Sequence, residues 1–327
     1  MKILLLHQYF LEEDDSGGSR WNEMAKVWAE AGNEVTVLAG MIHANGSEKR
    51  SEYKKKHFVQ KQQGKIQVWR CHVSEAYNKS FAGRLWGYFS FMFSAMWAGL
   101  FKAKGKFDVV IVTSPPLFVG LSGYIISAFK RIPFVFEVRD LWPESAIDTG
   151  VLTNKWIIKM AFWFEKFIYK KAKLINVLTP AFYDSLKNQK HIPEEKLIMI
   201  PNASDFSLSE ELLLTFDRND FRKKMALDGK FVITYVGAHG VANHLQQVLQ
   251  AGKKLEDTRV LFLLIGQGME KEKLKKMAVD MNVNNVRFID AVPKKEVFKF
   301  ILASEMGASV LKRVDTFKTV YSNKTFD

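Results

Sequence analysis

Four ionisable side chains, Glu137, Arg139, Asp140 and Glu144, crowd into one short stretch together with Trp142 and Pro143. An arginine among three carboxylates can hold a polar or phosphorylated substrate while the acids orient it or accept its proton. The same grouping also fits a structural ion-pair cluster that closes a strand–helix corner. Phe134-Val135-Phe136, just upstream, is aromatic and β-branched, the pattern of a buried parallel strand. Ligands of open α/β sheets collect at the carboxyl ends of such strands. The four residues are therefore candidates for catalysis or substrate positioning.

Glycines form the second set of candidates. Gly17 and Gly18, within Ser16-Gly17-Gly18-Ser19, precede a helix whose Trp21, Met24, Ala25 and Trp28 fall on one face. Glycine amides and a helix N-terminus can face a phosphate, although an ordinary turn fits as well and no G-x-G-x-x-G occurs in the loop. His7, at the end of the first strand, suits a core residue or a ligand contact equally. Further on, Gly237 and Gly240 follow an apolar run, and so do Gly266 and Gly268. No cluster with metal-ligand spacing and no D-x-D pair after a strand is present, so neither a metal nor a cofactor is expected.

The elements that must position these residues alternate strand and helix twice over. Apolar runs at 2–7, 34–40, 66–71, 108–114, 134–138, 174–179 and 197–200 predict one parallel sheet, ended by Pro201-Asn202. After a polar segment at 203–230, runs at 231–237, 260–266, 286–290 and 307–311 predict a second, with helices between. The expected division is a domain at 1–202 and another at 203–327. Residues 48–65, with Lys54-Lys55-Lys56, suggest a mobile loop or short helix.

The stretch 81–101 is rich in aromatics, among them Trp86, Phe89, Phe93 and Trp97, with Arg84 as its only charge. A buried helix and a helix lying in a membrane interface both suit it; a full span fits poorly, because the uncharged part is short. A second aromatic helix, 153–173, mixes Trp156 and Trp163 with six lysines. Contact with anionic lipid and lysines snorkelling off a core helix fit it alike.

The 327 residues carry a net charge of +13, which points to an anionic partner. To residue 200 there are 28 Lys and Arg against 19 Asp and Glu, and beyond it 20 against 16, so the excess lies with the aromatic helices. No recognition-helix or RNA-binding motif accompanies the charge, which argues against nucleic acid. A single cysteine, Cys71, excludes a disulfide framework within the chain and fits a reducing compartment.

Ser16-Gly17-Gly18-Ser19-Arg20, Ser114-Pro115-Pro116, Arg139-Asp140-Leu141-Trp142-Pro143-Glu144, Ile200-Pro201-Asn202, Tyr235-Val236-Gly237, Ile265-Gly266-Gln267-Gly268 and Ser322-Asn323-Lys324-Thr325-Phe326-Asp327 occur in an order that resembles the retaining glycosyltransferases of family four. Within that family the chain resembles the bacterial O-antigen and capsule branch, such as the N-acetyl-L-fucosamine transferases. The resemblance implies an α/β GT-B architecture of two Rossmann-like parallel-sheet domains, the second incomplete at its carboxyl end, and a fragment of impaired activity. It implies a nucleotide-sugar donor and a polyprenyl-diphosphate-linked glycan acceptor. It also implies a cytoplasmic protein, peripheral on the inner face of the cytoplasmic membrane.

By position in the family motifs, Gly17, Gly18, Gly237, Gly240, Lys324 and Asp327 are donor-binding, with Asp327 at the ribose-contacting place of an E-x7-E motif. The first acidic place of that motif holds Thr319, a departure, and the usual diphosphate-clamping Arg and Lys are not found near Ala238 and Asn243. Arg139 stands where many members have a His at the sugar site. Trp86, Phe89, Phe93, Trp97, Trp156 and Trp163 are the expected membrane and acceptor surface. A GT-B nucleotide-sugar 2-epimerase and a non-enzymatic membrane-associated assembly subunit are the alternatives.

Overall fold

Runs of Leu, Ile and Val too apolar to face water on either side form the strands of two parallel sheets, each sandwiched between helices. A computed structural model describes residues 1–13, 15, 20–42, 48–76, 81–148, 150–203 and 206–314. Gly17, Gly18, Thr319, Lys324 and Asp327 lie outside them. The chain divides into two compact units, one running to Asn202 and the other starting at Ala203.

The first unit contains, in order, β1 (Lys2–Leu6), α1 (Arg20–Glu30), β2 (Glu34–Gly40), β3 (Phe58–Gln63), β4 (Ile66–Cys71), α2 (Phe81–Trp97), β5 (Val109–Thr113), α3 (Val119–Lys130), β6 (Phe134–Val138), α4 (Glu144–Asp148), α5 (Lys155–Lys171), β7 (Leu174–Val177), α6 (Pro180–Asp184) and β8 (Leu197–Met199). Its eight strands lie in the order β3-β4-β2-β1-β5-β6-β7-β8, parallel except for β3. α1 covers one face, where Trp21 and Ala25 pack on Leu5, Val35 and Val37. α2, α3, α5 and α6 cover the other through Phe91, Ile126, Ile168 and Phe182. Asn154 caps α5 by accepting from the amides of Trp156 and Ile157 at 3.0 and 3.3 Å, and Lys170 and Lys171 suit its negative end.

Two expectations need correction here. The 48–65 segment is not a mobile loop but contains β3, which pairs antiparallel with β4. Its polar Gln60-Lys61-Gln62-Gln63 belongs to an edge strand with water on one side. The aromatic stretch after it splits between the two readings: Phe91, Met92 and Ala95 are core, whereas Trp86, Phe93, Trp97 and Phe101 are exposed. Among the described residues no helix is long and apolar enough to cross a membrane.

The second unit contains α7 (Ser207–Leu213), α8 (Arg218–Lys224), β9 (Phe231–Val236), α9 (Gln246–Lys254), β10 (Val260–Ile265), α10 (Lys271–Asp280), β11 (Val286–Ile289), α11 (Lys294–Ala303) and β12 (Met306–Gly307). Its parallel sheet has the order β11-β10-β9-β12. α9 and α10 pack on one face of this sheet, α8 and α11 on the other. The strand expected at 307–311 pairs over only two residues. Beyond it the chain leaves the sheet, and the Lys312 amide donates to the Ala242 carbonyl at 2.7 Å.

Candidate active site

Strand order locates the ligand crevice in such sheets, at the carboxyl edge where successive connections leave in opposite directions. In the first unit that point lies between β1 and β5. Leu6 stands level with Val112, which places His7 level with Thr113; Thr113 is level with Glu137, and Glu137 with Asn176. The register thus lays a polar row across four strands at the carboxyl edge.

Glu137 is the hub of the row and is 1% exposed. One of its oxygens accepts from Trp21 Nε1 at 2.9 Å and Thr113 Oγ1 at 3.4 Å. The other accepts from Asn176 Nδ2 at 2.8 Å and Arg20 Nε at 3.2 Å. Arg20 also donates to the carbonyls of Ile200 and Pro201, at 3.0 and 2.5 Å. A carboxylate with both oxygens engaged and no path to water does not serve as an acceptor base. The catalytic expectation for Glu137 is corrected: it positions the start of α1 and the ends of β5, β6 and β7.

Arg139 differs. Its side chain is 21% exposed, and among the described residues the only ionic contact of its guanidinium is to Glu137 at 4.0 Å. Burial and the Arg20 charge work against its cation and Glu137 favours it, with burial the largest effect. Across the row, burial and then the charges of Arg139 and Arg70 hold the His7 imidazole well below its ordinary range. His7 Nδ1 and both polar atoms of the Gln8 amide are buried and lack a hydrogen-bond partner among the described residues. Buried polar atoms are normally satisfied by protein, water or ligand, so these three atoms make the switch point a candidate site. Arg70 steadies the backbone that follows, donating to the Phe10 carbonyl at 2.5 Å and the Leu11 carbonyl at 3.1 Å.

The remaining acids turn away from this row. Asp140 accepts from Ser145 Oγ at 2.7 Å, and burial raises its carboxyl above the ordinary range, opposed by that bond. Glu144 accepts from Lys190 Nζ at 2.6 Å, and the same ammonium reaches Glu165 at 2.5 Å. The catalytic expectation for Glu144 therefore becomes a structural one: it ties α4 to α5 and to the turn after α6. The Trp142-Pro143 peptide is cis, as are Ser114-Pro115 and Pro115-Pro116.

In the second unit the switch point lies between β9 and β12. Gly266 has φ +148°, and a Cβ there would meet the Gly237 carbonyl oxygen at 2.0 Å. The Gly237 amide donates to the Ile265 carbonyl at 3.0 Å, so it is spent on joining the two loops. Gly237 therefore shapes the turn and does not lend its amide to a diphosphate. Gly240 keeps open space about its Cα. The chain after β12 brings Lys312 and Arg313 beside this turn, two cations that no motif singles out. Lys271, buried, donates to the carbonyls of Gly266 and Ile289 at 2.7 and 3.0 Å and to Asp290 at 2.7 Å, closing the β10 and β11 ends.

Of the expected aromatic surface, Trp86, Phe93, Trp97, Trp156 and Trp163 are exposed. Phe89 is half-buried, its ring 4.8 Å from that of Phe118, and so packs inward.

Two Rossmann-like sheets with helices on both faces, each with a topological switch point, define the class of GT-B glycosyltransferases. Residues 17–203 match the Glycosyl transferase 4-like domain and residues 217–311 the Glycosyl transferases group 1 domain. The chain belongs to the glycosyl transferase 4-like family and is a glycosyltransferase. It is 24% identical over 303 residues to the putative colanic acid biosynthesis glycosyl transferase WcaI of Escherichia coli, covering 90% of this chain and 74% of that one. Among solved structures, HepE of Anabaena in complex with UDP and glucose superposes with a TM-score of 0.62 at 15% identity, over 97% of this chain and 76% of that one. WaaG, a glycosyltransferase involved in lipopolysaccharide biosynthesis, gives 0.64 at 16% identity, over 95% and 75%.

Proposed function

We propose that this enzyme moves a sugar from a nucleoside-diphosphate sugar to a polyprenyl-diphosphate-linked glycan, with retention of anomeric configuration, in surface polysaccharide synthesis. The carrying observation is the set of unsatisfied polar atoms of His7 and Gln8, with Arg139, at the first unit's switch point. That is the chemistry of a hydroxyl-rich acceptor glycan. The names of WcaI and WaaG, both tied to cell-surface glycans, support the setting. HepE and its UDP support a nucleotide-sugar donor.

In this reading the second unit takes the donor, with Lys312 and Arg313 and the open Gly240 turn at the diphosphate. Gly17, Gly18, Lys324 and Asp327 keep the donor roles that the family motifs suggest, and the sugar subtype of the N-acetyl-L-fucosamine branch is retained as a proposal. The bond from the anomeric carbon to the diphosphate oxygen breaks, and the electron pair leaves with the diphosphate, held by cations and amides. The acceptor oxygen forms the new bond on the same face and gives its proton to the departing oxygen beside it. Arg139 holds the acceptor glycan or its phosphate, and Asp140 stands next to it. No metal is required by this scheme. In the same reading the enzyme works at the cytoplasmic face of an anionic membrane, and the exposed Trp156 and Trp163 of α5, framed by lysines, support that setting.

Assaying the protein against UDP- and GDP-sugars with a polyprenyl-diphosphate-linked acceptor tests this, the product anomer being read by NMR. Transfer with retention is expected, and Arg139→Ala should lower kcat/KM about 100-fold at an unchanged Tm. An epimerised nucleotide sugar formed without acceptor, or an inverted product, would overturn the reading.

A further inference from the structure

One groove of the first unit has no part in the site above. It is an open hollow of about 430 Å³ whose wall is the exposed stripe Trp86, Phe93 and Trp97 of α2, with Ser90 and Ser94 between them and Phe58 of β3, His57 and His72 opposite. Trp86 and Trp97 are eleven positions apart, so the aromatic wall is about 16 Å long. A free phosphate or nucleotide has no use for that length of ring surface; a hydrocarbon chain does.

Cations gather behind its polar end. Lys49 is 8% exposed, and its Nζ lies 2.7 Å from His72 Nδ1 and 3.3 Å from the Lys56 carbonyl. Among the described residues no carboxylate lies within ion-pair distance of that ammonium; Glu75 instead accepts from the Lys49 backbone amide at 3.1 Å. A charged lysine can only donate, so His72 accepts at Nδ1 and carries its proton on Nε2 as a donor. The His57 ring lies 5.1 Å from the His72 ring, and Lys102 Nζ stands 6.0 Å from the Phe58 ring. Burial holds Lys49 below its ordinary range, and burial followed by the Lys49 and His57 charges does the same to His72, the Glu75 charge opposing the shift in both without cancelling it. An anion placed against them relieves both.

We infer that this groove binds the isoprenoid diphosphate carrier of the acceptor, its diphosphate against His72 and His57 with Lys49 behind and its chain along Trp86, Phe93 and Trp97. The inference rests on the lipid-linked acceptor proposed above. A neutral lipid would leave the cations unanswered, and inorganic diphosphate would leave the rings bare.

The test is isothermal titration of the whole protein with farnesyl diphosphate, farnesol, inorganic diphosphate and dihexanoyl phosphatidylglycerol. Farnesyl diphosphate should bind at least tenfold more tightly than any of the other three. His72→Gln and Trp97→Ser should each weaken it at least tenfold and raise KM for the lipid-linked acceptor, leaving KM for the donor unchanged. Trp97 is exposed, so its variant decides the matter if His72→Gln fails to fold. Equal binding of inorganic diphosphate, equal binding of the phospholipid, or wild-type affinity in Trp97→Ser overturns the assignment. These failures are distinct from failure of the proposed reaction, in which the wild-type enzyme transfers nothing to any polyprenyl-diphosphate acceptor whatever the groove binds.

Discussion

Glu137 and Arg139 are two positions apart on one strand end and do different work. Glu137 neutralises Arg20 and orders three strand ends, so removing it strands a buried arginine. Glu137→Ala should cost about 3 kcal/mol in urea unfolding, whereas Arg139→Ala should leave the midpoint near that of the wild type. Equal stability of the two variants would undo the distinction. Glu165 offers a second test at this scale. Lys190 serves both Glu165 and Glu144, and one ammonium shared with a half-buried second carboxylate does not fully balance the buried Glu165. Burial, opposed by Lys190, lifts the Glu165 carboxyl from 4.5 to about 7. The folded chain therefore holds a proton that the unfolded chain has released. Its contribution is complete below about pH 4.5 and is lost as pH rises through about 7, a change on the order of 3 kcal/mol. Glu165→Gln should flatten the fall in Tm seen for the wild type between those values; superimposable curves would refute this.

The elements are legible in the sequence where burial is two-sided. β1, β5 and β10 need no alternation of apolar and polar residues, because continuous apolar runs announce strands covered on both faces. β3 is not legible, since a polar edge strand carries no hydrophobic period. β12 reads too long, because Ala308 and Val310 are apolar for packing on the helix layer and not for pairing. The candidate site is half legible. Arg139 stands out by type, but the ties of Glu137 to Arg20 and Trp21 span 117 and 116 positions, which no local pattern reveals. The Gly237–Gly266 contact is of the same kind: each glycine looks like a phosphate turn, and only the fold shows two backbones meeting. Gly266→Ala, with a carbonyl 2.0 Å from the new carbon and φ at +148°, should destabilise the protein by about 3 kcal/mol, measured by denaturant melting. The Lys312 amide bonds to the Ala242 carbonyl just past Gly240, and if Lys312 and its neighbour Arg313 serve the donor diphosphate as proposed, replacing both by Ala should raise donor KM about tenfold or more at unchanged acceptor KM. A change confined to the acceptor would remove them from the donor site.

Across the first unit, α3 packs between α2 and α5 in one helical layer, and the outward side of that layer is where its chemistry departs from an ordinary protein surface. On α5 the most exposed apolar residues are Trp156, Met160 and Trp163, at 76%, 68% and 68% exposure. Lys155, Lys159, Lys166 and Lys170 flank them, and the helix's one acid, Glu165, faces inward. A helix meant for water alone would reverse that order, with charge at the pole and apolar groups at the flank. Two tryptophans at the pole with lysines beside them suit the headgroup region of an anionic bilayer, each lysine contributing about 1 kcal/mol near the surface. Lys159 and Lys166 replaced together by Gln should therefore weaken partition onto phosphatidylglycerol vesicles about 30-fold, from about 2 kcal/mol, and hardly alter it on phosphatidylcholine. Trp156→Ser with Trp163→Ser should weaken both. Because these side chains lie outside the core, all four substitutions should leave Tm and transfer to a detergent-solubilised acceptor unchanged. Sedimentation with vesicles at low and high salt reads the two contributions separately, since salt screens the lysines and spares the tryptophans. Partition that is indifferent to lipid charge, or unmoved by either pair, would mean that this face meets something other than a membrane.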